Sequence, residues 1–85
     1  MNPHTITYLD RQRLDCDTFQ SIGYDPAEQI LQLEFKKDKR VYNYYQIPPM
    51  IHSDLMAAPL KGRYFHLHIA YHFDFEEMHR WHQVG

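Results

Sequence analysis

Two tyrosines two residues apart, Tyr42 and Tyr44, open the stretch Val41-Tyr42-Asn43-Tyr44-Tyr45-Gln46-Ile47-Pro48. In an extended chain they project from one face, and Val41, Asn43 and Tyr45 from the other. Rings set side by side on a strand can stack unpaired bases, at about 1–3 kcal/mol per base. Lys36, Lys37, Lys39 and Arg40 lie just upstream, and Lys61 and Arg63 follow. These are the residue types that contact phosphates. The plainer reading makes the tyrosines packing residues and the basic run a solvated turn, since aromatic rings are common packing material in strands. With tyrosine on both faces of the strand, one face must cover a core.

Histidines form a second constellation. His66, His68 and His72 lie close together, followed by His79 and His82. On a helix, His68 with His72, or His79 with His82, share a face that suits zinc, copper or nickel. No matched cysteines and no His-Glu-x-x-His accompany them, and a closed structural zinc site takes four ligands. The expectation is a polar face opposite Phe65, Ile69 and Phe73, with no metal and no cofactor. Catalysis finds less support. Asp25, Asp54 and Asp74 are acid–base residue types, but nothing places a base beside a nucleophile. Ser21 and Ser53 lack a triad signature, and three glycines make no phosphate-binding loop. No catalytic residue is assigned, and the chain is read as not an enzyme.

The elements that carry these residues must be small. With 85 residues, the chain is expected to form one domain over 1–85 and to bury only about 60% of its unfolded surface. Seven tyrosines and five phenylalanines suit a compact core, because each ring contributes a large contact area. The formal net charge is −2, and protonating all seven histidines would carry it to +5. That balance argues against a nucleic-acid binder driven by overall charge. The single Cys16 lies between Asp15 and Asp17, and such neighbours do not activate a thiol. No long apolar run suggests a membrane span, and the N-terminus does not read as a secretory signal. A cytoplasmic location is expected.

Ile6 and Tyr8 alternate with threonines, a weak signal for a strand at 5–9. Residues 19–24 read as a strand ending at Asp25-Pro26. Residues 30–35 alternate, with Leu31, Leu33 and Phe35 on one face and Gln32 and Glu34 on the other. Residues 36–40 make a charged hairpin, and 40–46 the next strand. Short loops join the three into an antiparallel meander. Pro48-Pro49 suits a helix start, and Ile51, Leu55 and Ala58 give the stripe of a short amphipathic helix closed by Pro59 and Gly62. Residues 63–75 alternate on odd positions like a strand, yet Phe65, Ile69 and Phe73 also recur at four-residue spacing. Met78 and Trp81 suggest a terminal helix over 76–83, able to dock on its own domain or anchor a partner or homodimer.

Residues 19–69 resemble the KTSC domain family. The matching pieces are Ile22-Gly23-Tyr24-Asp25, Leu31-x-Leu33-x-Phe35, Tyr42-x-Tyr44 with Ile47-Pro48, Ala58, and Gly62-x-Tyr64-Phe65 with Ile69. The resemblance departs from the family pattern at Leu60, where the family usually has serine, and in a hairpin without glycine. It implies a small α+β domain: a three-stranded antiparallel meander followed by one or two short helices, with residues 63–73 helical. The family, found at the C-terminus of some lysyl-tRNA synthetases and as small bacterial proteins, carries no assigned catalytic residues. It adds a suggestion of RNA binding, which here would fall to Tyr42, Tyr44, Lys36, Lys37, Lys39, Arg40 and Arg63 and would be weak and salt-sensitive. The alternative is a protein-interaction or homo-oligomerisation module using exposed aromatics and the C-terminal segment.

Overall fold

The structure is a computed structural model describing residues 9–78. Its elements run β1 (Gln12–Arg13), β2 (Phe19–Asp25), β3 (Ile30–Phe35), β4 (Val41–Tyr44), α1 (Pro49–Ala57), α2 (Lys61–His68) and β5 (Phe75–Met78). The five strands form one sheet in the order β1-β2-β3-β4-β5, antiparallel throughout. The expected three-stranded meander is therefore incomplete: β2, β3 and β4 are its strands, and a short strand is added at each edge. The terminal helix expected over 76–83 is also corrected, since Phe75–Met78 pairs with β4 as a strand. Its residues 79–83, and most of the strand expected at 5–9, lie outside the described residues.

Helix α2 does form, against the local strand alternation, but ends at His68 rather than 73. Its buried residue Phe65 and its C-cap Ile69 follow the four-residue spacing. The α2 N-cap, Leu60, makes no side-chain cap bond. Helix α1 starts on Pro48 as N-cap with Pro49 in its first turn, where a missing N–H costs nothing. Its last carbonyls are met by Lys61, whose Nζ donates to Met56 O at 2.8 Å and Ala58 O at 2.9 Å.

The core lies between the helices and one sheet face. It comprises Phe19, Ile22, Leu31, Leu33, Tyr44, Ile47, Leu55, Phe65 and Ile69. A register irregularity between Phe19 and Ser21 puts both Phe19 and Ile22 on this face, despite their odd spacing. The turn after β2 is held by Asp25, whose Oδ1 accepts the amides of Ala27 and Glu28. The β3–β4 hairpin lacks glycine and places Lys39 at φ 61° instead, a left-handed conformation that costs a non-glycine residue about 1–2 kcal/mol.

The opposite sheet face is polar but not open. Gln32 is fully buried, and Asn43 and Ser21 nearly so. Gln32 Nε2 donates to Asn43 Oδ1 at 2.9 Å, and Arg11 donates to Ser21 Oγ and Gln32 Oε1 at 2.8 and 2.6 Å. Every buried polar side-chain atom among the described residues has a partner, as burial away from water requires.

Candidate functional site

Strand β4 sets the site. Leu31 faces Tyr44 and Leu33 faces Tyr42 across the β3 register, so both tyrosines lie on the helix-covered face. Val41 and Asn43, on the other face, are also buried. As an inner strand, β4 is covered on both sides. Tyr44 is 5% exposed; its ring stacks on Phe75 at 5.2 Å and meets the edge of Phe65 at 5.4 Å. Burial pushes its phenol up to about 12, with Tyr42 and Tyr71 adding smaller effects. Tyr42 is half-buried, edge-on to Phe35 at 5.5 Å and tilted against Phe75 at 5.9 Å. A base stacks only on an accessible ring face, which Tyr44 does not present.

What remains open is the rim of this cluster. A groove of about 390 Å³ runs along β4 and β5, floored by Phe35, Tyr42, Tyr44 and Phe65 and walled by Ala70, Tyr71 and Phe75. Tyr71 is 80% exposed and Phe75 53% exposed. The His66 ring stands at 86° to Tyr71, 5.5 Å away, and His72 Nε2 contacts the Leu67 carbonyl at 3.1 Å, closing the turn after α2. Lys37 and Asp38 close the far end of the groove. Rigid rings with a wet edge are the surface type enriched at protein interfaces.

Apart from Lys37, the basic residues do not converge on this groove. Lys36 Nζ donates to the Cys16 carbonyl at 3.2 Å. Lys39 Nζ donates to Gln20 Oε1 and the Lys36 carbonyl at 3.3 Å. Arg40 pairs with Asp38 at 3.5 Å and with Glu77 at 3.3 Å. Arg63 lies in an adjoining depression of about 650 Å³ between α2 and residues 15–18, alongside Asp15 and Asp17. Of the seven residues expected to form one surface, Tyr42, Tyr44 and Lys37 line the groove. Lys36, Lys39, Arg40 and Arg63 belong elsewhere.

The histidines also disperse. His68 stands 4.5 Å from Tyr64, and His52 stacks at 4.4 Å on Tyr24, whose hydroxyl donates to the Ile47 carbonyl at 2.5 Å. Burial lowers the His52 pKa. Among the described residues no group of three His, Cys, Asp or Glu side chains is placed to hold a metal ion. No helix among them is long and apolar enough to cross a membrane. His79, His82 and Trp81 lie outside the described residues. Sequence reasoning missed Tyr71 and Phe75 as a pair. Their signal was the odd-numbered alternation of residues 65–75, which belongs to a helix, a turn and the start of a strand in succession.

A five-stranded antiparallel sheet with two helices on one face, and aromatic side chains across that interface, defines a small α+β domain. The chain belongs to the KTSC domain family, whose model matches residues 17–73. It is similar to a crystal structure of a KTSC domain protein from Yersinia pestis, with a TM-score of 0.78 and 31% identity, covering 82% of this chain and 97% of that one. A protein from Tsukamurella paurometabola is 43% identical over 53 residues, 62% of this chain and 78% of that protein. A lysine–tRNA ligase from Nostoc sp. strain PCC 7120 is 38% identical over 55 residues, 65% of this chain but 10% of the ligase.

Proposed function

We propose that this chain is a protein-interaction module that docks an apolar side chain of its partner in the groove of Tyr42, Tyr71 and Phe75. The observation carrying this reading is that two large rings, Tyr71 and Phe75, stand exposed beside a groove whose floor is already ordered by the core. Preformed walls reduce the ordering cost of binding. Tyrosine and other aromatic anchors dominate interface energetics.

A nucleic-acid reading has one specific support, the presence of a similar segment in lysine–tRNA ligases. It would use Lys36, Lys37, Lys39, Arg40 and Arg63 with the tyrosines. Against it stand the net charge of −2, the ion pairs of Arg40 and the burial of Tyr44. Phosphate contacts make binding fall steeply with salt, whereas apolar docking is far less salt-sensitive. Amide NMR of the chain separates the two readings, using peptides enriched from a displayed random library and, separately, total tRNA at low and high salt. The expected result is peptide-induced shifts at Tyr71, Phe75 and their neighbours that persist at high salt. Salt-sensitive tRNA shifts along residues 36–40, with no enriched peptide, would reverse the reading.

A further inference from the structure

The polar face of the sheet has the form of a filled binding site. Residues 9–11 run over it as an arm, which continues into Gln12 and Arg13, paired to β2 at the sheet edge opposite Ile22 and Ser21. The Arg11 guanidinium is seated among side chains of the inner strands. It donates from Nε to Ser21 Oγ at 2.8 Å and from NH1 to Gln32 Oε1 at 2.6 Å, and its NH2 lies 3.9 Å from Glu34 Oε1. Ser21 Oγ in turn donates to Glu34 Oε1 at 2.7 Å. Gln32 Oε1 also accepts the Leu9 amide at 2.9 Å, and its Nε2 contacts Asn43 Oδ1 and Met78 Sδ. Gly23 leaves the arm its path: a Cβ there would meet Arg11 Cγ and the Asp10 carbonyl at 2.9 Å.

Ser21, Gly23, Gln32, Glu34 and Asn43 lie within the family-matched residues 17–73, and the arm lies outside them. The grip is polar: a guanidinium that donates to a hydroxyl and an amide oxygen with a carboxylate 3.9 Å away, together with strand pairing two residues long. Arginine's fixed fork is suited to such planar recognition, and adding an extended segment to a sheet is a general mode of peptide recognition.

We propose that the polar face is a receptor for an arginine-bearing extended peptide segment, occupied here in cis by residues 9–13. This surface is distinct from the aromatic groove and independent of the function proposed for it. Arg11 enters the face, Gly23 admits the backbone beside it, and the buried Gln32 reads both the guanidinium and the Leu9 amide.

The test uses the full chain carrying Arg11→Ala, which vacates the guanidinium seat and leaves the hydrophobic core intact. A synthetic peptide of residues 9–15 is added and amide shifts are followed. The wild-type peptide is expected to restore the wild-type shifts of Ser21, Gln32 and Glu34 saturably. The same peptide carrying alanine at position 11 is expected to bind at least about tenfold more weakly, the equivalent of ~1.4 kcal/mol. In the wild-type chain, the Leu14 amide, bonded to the Gln20 carbonyl, is expected to exchange with solvent faster than the β2–β3 amides. Equal effects of the two peptides, or no saturable shift, would overturn the proposal. So would a chain that Arg11→Ala unfolds, or a Leu14 amide that exchanges only with the whole sheet, because the arm would then be a structural strand rather than a guest.

Discussion

At the residue scale, the family motifs acquire physical reasons. Gly62 lies in the first turn of α2 against Thr18, and a Cβ there would overlap the Thr18 hydroxyl. Alanine is normally better than glycine in a helix by about 1 kcal/mol, so the sign of the substitution is diagnostic. Gly62→Ala is expected to destabilise by about 1–3 kcal/mol through overpacking, read as a lower denaturant midpoint. In a Thr18→Ala background, which removes the overlapping hydroxyl and leaves the Thr18 Cβ 3.0 Å away, the same change should cost less. His52 carries a pH dependence. Burial against Tyr24 lowers its pKa in the fold below the ordinary 6.5. On acidification through 6.5 the unfolded chain therefore takes up that proton first, and stability falls until the folded-state pKa is passed. Thermal melts of wild type and His52→Phe should diverge as pH drops below 6.5, with the phenylalanine variant losing less. Parallel curves would remove His52 from the account.

At the element scale, legibility followed burial. The β3 residues Leu31, Leu33 and Phe35 alternate cleanly because one face of that strand is the core, and the strand was read correctly from them. Gln32 carries the same alternation, yet it is fully buried. A polar residue with a complete set of partners looks like a solvent-facing one in sequence. The edge strands left weaker traces. Gln12–Arg13 has no apolar residue, and Phe75-Glu76-Glu77-Met78 mixes charge with two apolar positions. Short, charged strands are what protect a sheet edge from mispairing, and those properties also hide them from periodicity. Helix α2 followed from the family resemblance, against the local strand alternation, and starts without a side-chain cap. Leu60, at its N-cap, is 65% exposed, with φ −118° and ψ 88°. Leu60→Ser should add the missing acceptor and stabilise by about 1 kcal/mol, seen as a melting temperature about 4–8 °C higher. An unchanged or lower melting temperature would show that α2 draws nothing from a cap.

At the scale of the whole molecule, the sheet has two differently built faces. One is covered by the helices through aromatic packing that ends in an exposed rim at Tyr71 and Phe75. The other is a hydrogen-bonded polar layer under the arm of residues 9–13. The tyrosine pair that dominates the sequence marks the boundary between core and rim: Tyr44 orders the floor of the groove, and Tyr42 reaches its opening. The proposed docking surface was illegible because it is assembled from the turn after α2, the start of β5 and the middle of β4, three segments with different periodicities. The most direct measurement is the affinity of a library-enriched peptide for wild type and for the Tyr71→Ala/Phe75→Ala double variant, with circular dichroism confirming that both are folded. Truncating an interface hot spot costs about 2 kcal/mol or more, so the account predicts a loss of at least about 30-fold with the fold intact. Unchanged affinity in the folded double variant would contradict it.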